Sequence, residues 1–270
     1  MGFLLLRELA NENHFIFTID EAKSLASRLR ASENCLAQLL PRLVNNGLLI
    51  RLRRGLYAGA GVLGDIHVHP FAIATSLVTP SAISHWSAMN YHGLTEQIPQ
   101  TVTAFTPKKV VTPSMRDSEK QGRTRKHTWE VEGVRCEYVS VKREHFFGFE
   151  EVWVDQMSKV KITDRERTML EGFISPHMFG GMGEVLGILN EHAHELNLKK
   201  MVSYALQYGK ASVVKRLGWG LEQVGVTGDD LIPLERMPIS GFRMLDPTGP
   251  HRGPCDKHWM IQNNLSARSV

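Results

Sequence analysis

Residues 47–64 read GLLIRLRRGLYAGAGVLG, and the fold depends on which half of this stretch carries the meaning. The second half, Gly59-Ala-Gly61-Val-Leu-Gly64, spells G-x-G-x-x-G, the string that cradles a dinucleotide pyrophosphate. The first half alternates Ile50 and Leu52 with Arg51 and Arg53. A dinucleotide loop needs a strand before its first glycine and a helix opening at its last, because helix-terminal amides hold the phosphate. Here DIHVHP follows, with Pro70 six residues on, and no second parallel strand is visible. The first half therefore decides: residues 48–53 and 56–60 are expected as paired strands of period two, with Gly55 supplying the positive φ of a tight hairpin. Ile50 and Leu52 would hold that hairpin to a core, and the later glycines form its exit. No cofactor is implied.

Upstream the period changes to that of a helix. Thr18-Ile-Asp-Glu21 fits a capping box, opening a short helix with Ile19, Ala22, Leu25 and Ala26 inward. Ser32 is a second cap candidate, and Leu36, Leu39, Leu40, Leu43 and Val44 recur at helical spacing before Asn45, Asn46 and Gly47 end the run. Pro41 lies inside it, where it removes a backbone bond, so a kink or break is expected near residues 37–41. Residues 2–11 can supply a first helix through Leu4, Leu5 and Leu9. Helix, helix, turn, helix and basic hairpin is the order of a winged helix-turn-helix, assigned to residues 1–60.

Net charge is only +4, from 32 Lys plus Arg against 28 Asp plus Glu in 270 residues, so its distribution carries the argument. Between Arg28 and Arg54 the basic residues Arg28, Arg30, Arg42, Arg51, Arg53 and Arg54 face one acid, Glu33, a local +5. Such a window neutralises phosphates and releases counterions. Asn34 and Gln38 lie one turn apart opposite the leucines, with Arg42 a turn further; Asn and Gln can bond adenine edges in the major groove. The candidate DNA-binding residues are thus Arg28, Arg30, Ser32, Asn34, Gln38, Arg42, Arg51, Arg53 and Arg54, and double-stranded DNA is the expected partner.

Residues 61–270 are expected to form a mixed α+β domain, with helices at about 70–93 split at Thr79-Pro80, strands at about 101–163, helices at about 164–236 and a final loop and strand. The overall fold class is α+β. A second basic cluster, Lys108, Lys109, Arg116, Lys120, Arg123, Arg125 and Lys126 against Asp117 and Glu119, again sums to +5 and reads as a long loop. Lys108, Lys109, Arg116, Arg123, Arg125 and Lys126 are candidates for a second nucleic-acid or partner contact. Outside both clusters the balance is −6, a polarised distribution. Thr163-Asp-Arg-Glu166 is another capping-box pattern.

Catalytic patterns are sparse. Asp65-Ile-His67-Val-His69 resembles the first metal-ligand motif of amidohydrolase barrels, and His85 and His92 lie seven apart on an expected helix. A metal-dependent hydrolase or nucleic-acid-processing enzyme using His67, His69, His85 and His92 is the alternative reading, but no eight-fold βα repeat supplies further ligands. No metal site and no catalytic group are assigned. Cys35, Cys136 and Cys255 form no C-x-x-C pair, which suggests a reducing compartment. The opening apolar run, Phe3 to Leu6, is far short of a signal core or a spanning helix, so a cytoplasmic protein with no membrane partner is expected.

Three blocks, AISHWSAMNYHGLTEQIPQTVTAFTP, KITDRERTMLEGFISPHMFGGMGEVLGIL and VVKRLGWGLEQVG, resemble the AbiEi family of abortive-infection antitoxins and transcriptional regulators. The resemblance implies a winged helix that represses the chain's own operon at repeated operator sequences. It also implies a carboxyl-terminal domain that counters a cognate nucleotidyltransferase-like toxin, and a protein that is not an enzyme. Two positions depart from the family: Pro41 in the recognition helix, and Glu171 where Asp is expected after R-T-x-L.

Overall fold

The structure, a computed structural model, describes residues 2–12, 15–59, 68–112, 115 and 128–265. The chain is α+β, with 45% of the described residues helical and 19% in strands, and divides into two compact units. The first takes Met1–Ile83, Gln100–Val141 and Glu151–Lys161, and the second Ser84–Pro99, Lys142–Glu150 and Ile162–Val270.

The first unit opens with α1 (Gly2–Asn11), β1 (Ile16–Thr18), α2 (Ile19–Arg28), α3 (Glu33–Asn45), β2 (Leu49–Arg53) and β3 (Leu56–Gly59). The Thr18 box forms as expected: the Glu21 amide donates to Thr18 Oγ1 at 3.3 Å, and the Thr18 amide to Glu21 Oε2 at 2.6 Å. Leu5 and Leu9 of α1, Ala22, Leu25 and Ala26 of α2, and Leu36, Leu40 and Leu43 of α3 meet in one buried core. Each such leucine contributes about 2 kcal/mol by leaving water. Strand β1 was not visible in the sequence pattern; it pairs antiparallel with β3, giving the sheet order β1-β3-β2.

Two local expectations are corrected. Helix α3 runs unbroken through Pro41, because Pro41 and Ala37 both lie on the exposed face, where water can satisfy the Ala37 carbonyl that Pro41 cannot bond. In β2 the inward residues are Leu49 and Leu52, 2% and 3% exposed, while Ile50 is only partly buried. The register shifts between Arg51 and Arg53, a β-bulge that breaks strict alternation.

The rest of this unit supports the hairpin. Leu49 and Tyr57 belong to the helical core, whereas Ala58 lies in the opposite face of the sheet and is fully buried. Helix α4 (Pro70–Leu77) packs against β1 and β2. A six-stranded sheet has the order β6-β7-β5-β4-β9-β8, built from β4 (Ala82–Ile83), β5 (Val102–Thr106), β6 (Thr128–Val131), β7 (Val134–Ser140), β8 (Phe149–Trp153) and β9 (Lys159–Thr163). Strand β5 pairs parallel with β7, and Gly133, at φ 76°, turns the chain from β6 into β7. Tyr138 of β7 donates its hydroxyl to the Ala74 carbonyl of α4 at 2.7 Å.

The second unit packs helices around α6. Its elements are α5 (His85–Tyr91), α6 (Arg165–Ile174), α7 (Met182–His192), α8 (Leu198–Tyr208), α9 (Ala211–Gln223), α10 (Ile232–Glu235) and the strands β10 (Arg243–Met244), β11 (Cys255–Asp256) and β12 (Ile261–Gln262). The second helix of the 70–93 region does not follow directly on the Thr79-Pro80 split but starts at His85, because Ala82 and Ile83 pair with β5. Asp164, not Thr163, caps α6, accepting the Arg167 amide at 2.9 Å. Glu166 is drawn away from any capping box: it accepts the Asn197 amide at 3.0 Å and meets Lys200 at 2.9 Å.

Residues 166–173 of α6 are all buried, which requires neighbouring helices to come close on several sides. Glycines permit this: a Cβ at Gly172 would stand 2.8 Å from Val185, and one at Gly218 only 2.0 Å from the Trp259 ring. The blocks quoted above for the resemblance therefore fall largely on packed helices, with Met169, Leu170, Phe173 and Leu217 in the core.

Candidate nucleic-acid interface

The face of α3 is set by its cap and its leucines. Ser32, in extended conformation at φ −76°, accepts the Cys35 amide at 3.2 Å, so its hydroxyl is committed to the helix start. With Leu36, Leu40 and Leu43 turned into the core, Asn34, Gln38 and Arg42 project outward and are exposed, one turn apart.

The turn between α2 and α3 is tight. Arg30 holds it in the left-handed region at φ 57°, its amide donating to the Ser27 carbonyl at 3.0 Å and the Ala31 amide to Ala26 at 2.9 Å. A residue with a Cβ sits there at a cost of about 1 kcal/mol. The Arg30 side chain is exposed.

The hairpin carries the other arginines. Gly55 at φ 76° closes it, and its carbonyl accepts the Ile19 amide at 2.9 Å, which ties the tip to the start of α2. Arg51, Arg53 and Arg54 are all exposed, and Arg53 Nη1 lies 3.4 Å from the Arg54 carbonyl. Lys23 of α2, not singled out from the sequence, pairs with Glu33 of α3 at 3.1 Å. Arg28 is also engaged: it grips Glu12 through two hydrogen bonds of 2.7 and 2.9 Å. That carboxylate raises the Arg28 pKa chiefly through the side-chain hydrogen bond, with burial acting weakly against it.

Of the second basic cluster, Lys108 and Lys109 are exposed; Lys108 Nζ donates to the Thr79 carbonyl, and its carbonyl accepts from Ser140 Oγ at 3.1 Å. Arg116, Lys120, Arg123, Arg125 and Lys126 lie outside the described residues.

The histidines of the alternative reading do separate work. His69 caps α4, its Nδ1 accepting the Phe71 amide at 3.1 Å. His85 is buried, with Nδ1 2.8 Å from Ser84 Oγ and its amide donating to Glu171 Oε2 at 3.0 Å. His92 Nε2 donates to the Thr163 carbonyl at 2.6 Å, and burial lowers its pKa. Burial likewise lowers that of His69. His67 lies outside the described residues, and among those described no group of three His, Cys, Asp or Glu could hold a metal. No described helix is long and apolar enough to cross a membrane.

Three helices joined by a tight turn, with a three-stranded antiparallel sheet and an arginine-bearing hairpin, define a winged helix-turn-helix, the class of many transcriptional regulators. Residues 5–58, the winged helix-turn-helix itself, match the family described as "Transcriptional regulator, AbiEi antitoxin". The crystal structure of the RV2827C protein from Mycobacterium tuberculosis is similar in fold, with a TM-score of 0.61 at 10% identity over 95% of this chain and 88% of that one. Comparison with curated proteins finds no match.

Proposed function

We propose that the chain is a sequence-reading repressor of its own operon and an antitoxin against a nucleotidyltransferase-like toxin, acting in the cytoplasm and without catalysis. The observation that carries this reading is the outward face of α3, Asn34, Gln38 and Arg42, held by a leucine core inside the segment that matches the regulator family. In this reading α3 lies in the major groove of double-stranded operator DNA, with Asn34 and Gln38 on base edges. Arg30, Arg42, Arg51, Arg53 and Arg54 meet phosphates, which position the protein without selecting sequence. Arg28 reaches a phosphate only by giving up Glu12. The first unit, continuous from the wing into α4 and the sheet, keeps the hairpin fixed on the core, and residues 61–270 supply the antitoxin function.

The experiment is binding of the full chain to its own promoter and to unrelated DNA of equal length at physiological salt. Equal affinity for both would end the repressor reading. Gln38→Ala is expected to relax preference at one base position, and Arg53→Ala to weaken all sequences alike while flattening the salt dependence by about one unit. For the antitoxin half, co-expression with the neighbouring gene product measures rescue of growth. Absence of rescue by the intact chain would remove that part.

A further inference from the structure

The exposed face of α3 has a middle and two flanks. Residues 34, 37, 38, 41 and 45 fall on one strip at helical spacing, and all five are exposed. They are Asn34, Ala37, Gln38, Pro41 and Asn45, three amides and two apolar residues with no charge among them. The charges stand to the sides, roughly 80–100° around the helix from Asn34. Arg42 lies on one flank, and Glu33, which Lys23 meets at 3.1 Å, on the other. Arg30 of the preceding turn and Arg51, Arg53 and Arg54 of the hairpin are exposed as well.

Two members of the strip have no use inside the protein. Ala37 and Pro41 stand outside the leucine core that α3 shares with α1 and α2. Pro41 also forgoes the backbone bond to the Ala37 carbonyl while the helix continues through it. Its ring leaves water only when a partner covers it. The major groove offers such a cover. Thymine presents a methyl group there, and adenine presents the N6 donor beside the N7 acceptor, a pair that one carboxamide can bond together. Guanine offers two acceptors instead, O6 and N7, which call for Arg or Lys. The middle strip holds partners for the first two bases and none for guanine. Between Asn34 and Pro41 the helix rises about 10 Å, or about three base pairs of duplex.

We propose that the operator segment under α3 is rich in A·T pairs, with Asn34 and Gln38 bonding adenines and Ala37 and Pro41 packed on thymine methyls. The arginines are then left to the phosphates. This inference rests on the repressor reading. It adds which bases are read, and it gives the proline of the recognition helix a purpose.

The test uses the full chain and a fragment of its own promoter, compared by fluorescence anisotropy at physiological salt with unrelated DNA of equal length. Three modified fragments keep the promoter sequence: uracil for thymine removes the methyls, 7-deazaadenine removes the adenine N7, and 7-deazaguanine removes that of guanine. Uracil is expected to weaken binding about fourfold per methyl, hence about fifteenfold for the two contacts of one bound copy. The 7-deazaadenine fragment should lose about fivefold per amide, and the 7-deazaguanine fragment should bind like the parent. A chain carrying Ala37→Ser and Pro41→Ser should bind the thymine and uracil fragments alike, which a merely structural role for these residues would not produce. Ala37→Ser alone should remove one of the two methyl effects, should the double variant melt early. Undiminished affinity for the uracil fragment overturns the proposal, as does a uracil penalty that survives in the folded variants. So does a loss on 7-deazaguanine equal to that on 7-deazaadenine, which would put Arg42 on guanine. In each of those cases a preference for promoter over unrelated DNA leaves the repressor reading standing. Equal affinity for the two DNAs ends that reading and this proposal together.

Discussion

Arg28 at the end of α2 holds both carboxylate oxygens of Glu12, just beyond α1, at 2.7 and 2.9 Å. The pair engages the guanidinium inside the protein, so the local charge of residues 28–54 overstates what is left for a partner. Glu12→Gln is expected to tighten binding to every DNA sequence and to steepen the salt slope by about one unit. Arg28→Ala should leave that slope where it is. A slope that flattens by a full unit in Arg28→Ala would show that Arg28 already contacts phosphate.

Arg30 combines an exposed charge with a backbone angle that favours glycine, φ 57°. The two roles separate by substitution. Arg30→Gly is expected to raise stability by about 0.5 kcal/mol at most, the relieved left-handed strain less the extra freedom of the unfolded chain. Arg30→Ala keeps the strain and should bring no gain. Both should lose the same DNA affinity. Urea denaturation and a salt-series titration check these outcomes together, and equal stability of the two variants would contradict the strain argument.

Glu171 replaces the shorter acid expected at its position, and its surroundings explain the extra methylene. One oxygen accepts the His85 amide at 3.0 Å and lies 3.4 Å from His85 Nδ1; the other stands 3.5 Å from Arg167 Nε. All three residues are buried, and Arg167 also lies 4.6 Å over the Phe147 ring. Glu171→Ala is expected to cost about 3 kcal/mol, because it leaves a buried guanidinium without its carboxylate. Glu171→Asp should recover only part of that, since it retracts from one partner or the other. Thermal or urea melts of the full chain are the measurement, and parent-like stability of Glu171→Ala would show that the aromatic contact suffices.

His92 gives stability a pH dependence of definite sign. Burial lowers its folded-state pKa from the ordinary 6.5. As pH falls, the unfolded chain takes up the proton first. The stability held above about 6.5 is therefore lost as pH drops from there toward the lowered folded value. His69 acts in the same direction. His92→Gln, which can still donate to the Thr163 carbonyl, should flatten the fall in stability that begins below about pH 6.5. An unchanged pH profile would assign the dependence to other groups.

The legible features of the chain share one property: their causes lie within a few residues. Thr18 and Glu21 cap α2 because they are three apart, the leucines of α3 share a face because the helix repeats every 3.6 residues, and Gly55 turns the hairpin because it lacks a Cβ. The exposed Asn34, Gln38 and Arg42 follow from the same periodicity. So does the choice of hairpin over phosphate loop at residues 47–59.

What could not be read has distant partners. Strand β1 is three residues long and exists because β3 pairs with it from forty residues away. Leu49 rather than Ile50 is the buried end of β2 because the bulge resets which face each residue takes. Glu12 neutralises Arg28 across sixteen positions, and Glu171 meets His85 across eighty-six. The helical repeat and the turn chemistry are properties of the local backbone, so composition and spacing reveal them. Which charge is spent inside the protein and which is left for a partner depends on contacts between segments that only folding brings together. The pairings of Arg28 and of Glu171 are for that reason visible only in the fold.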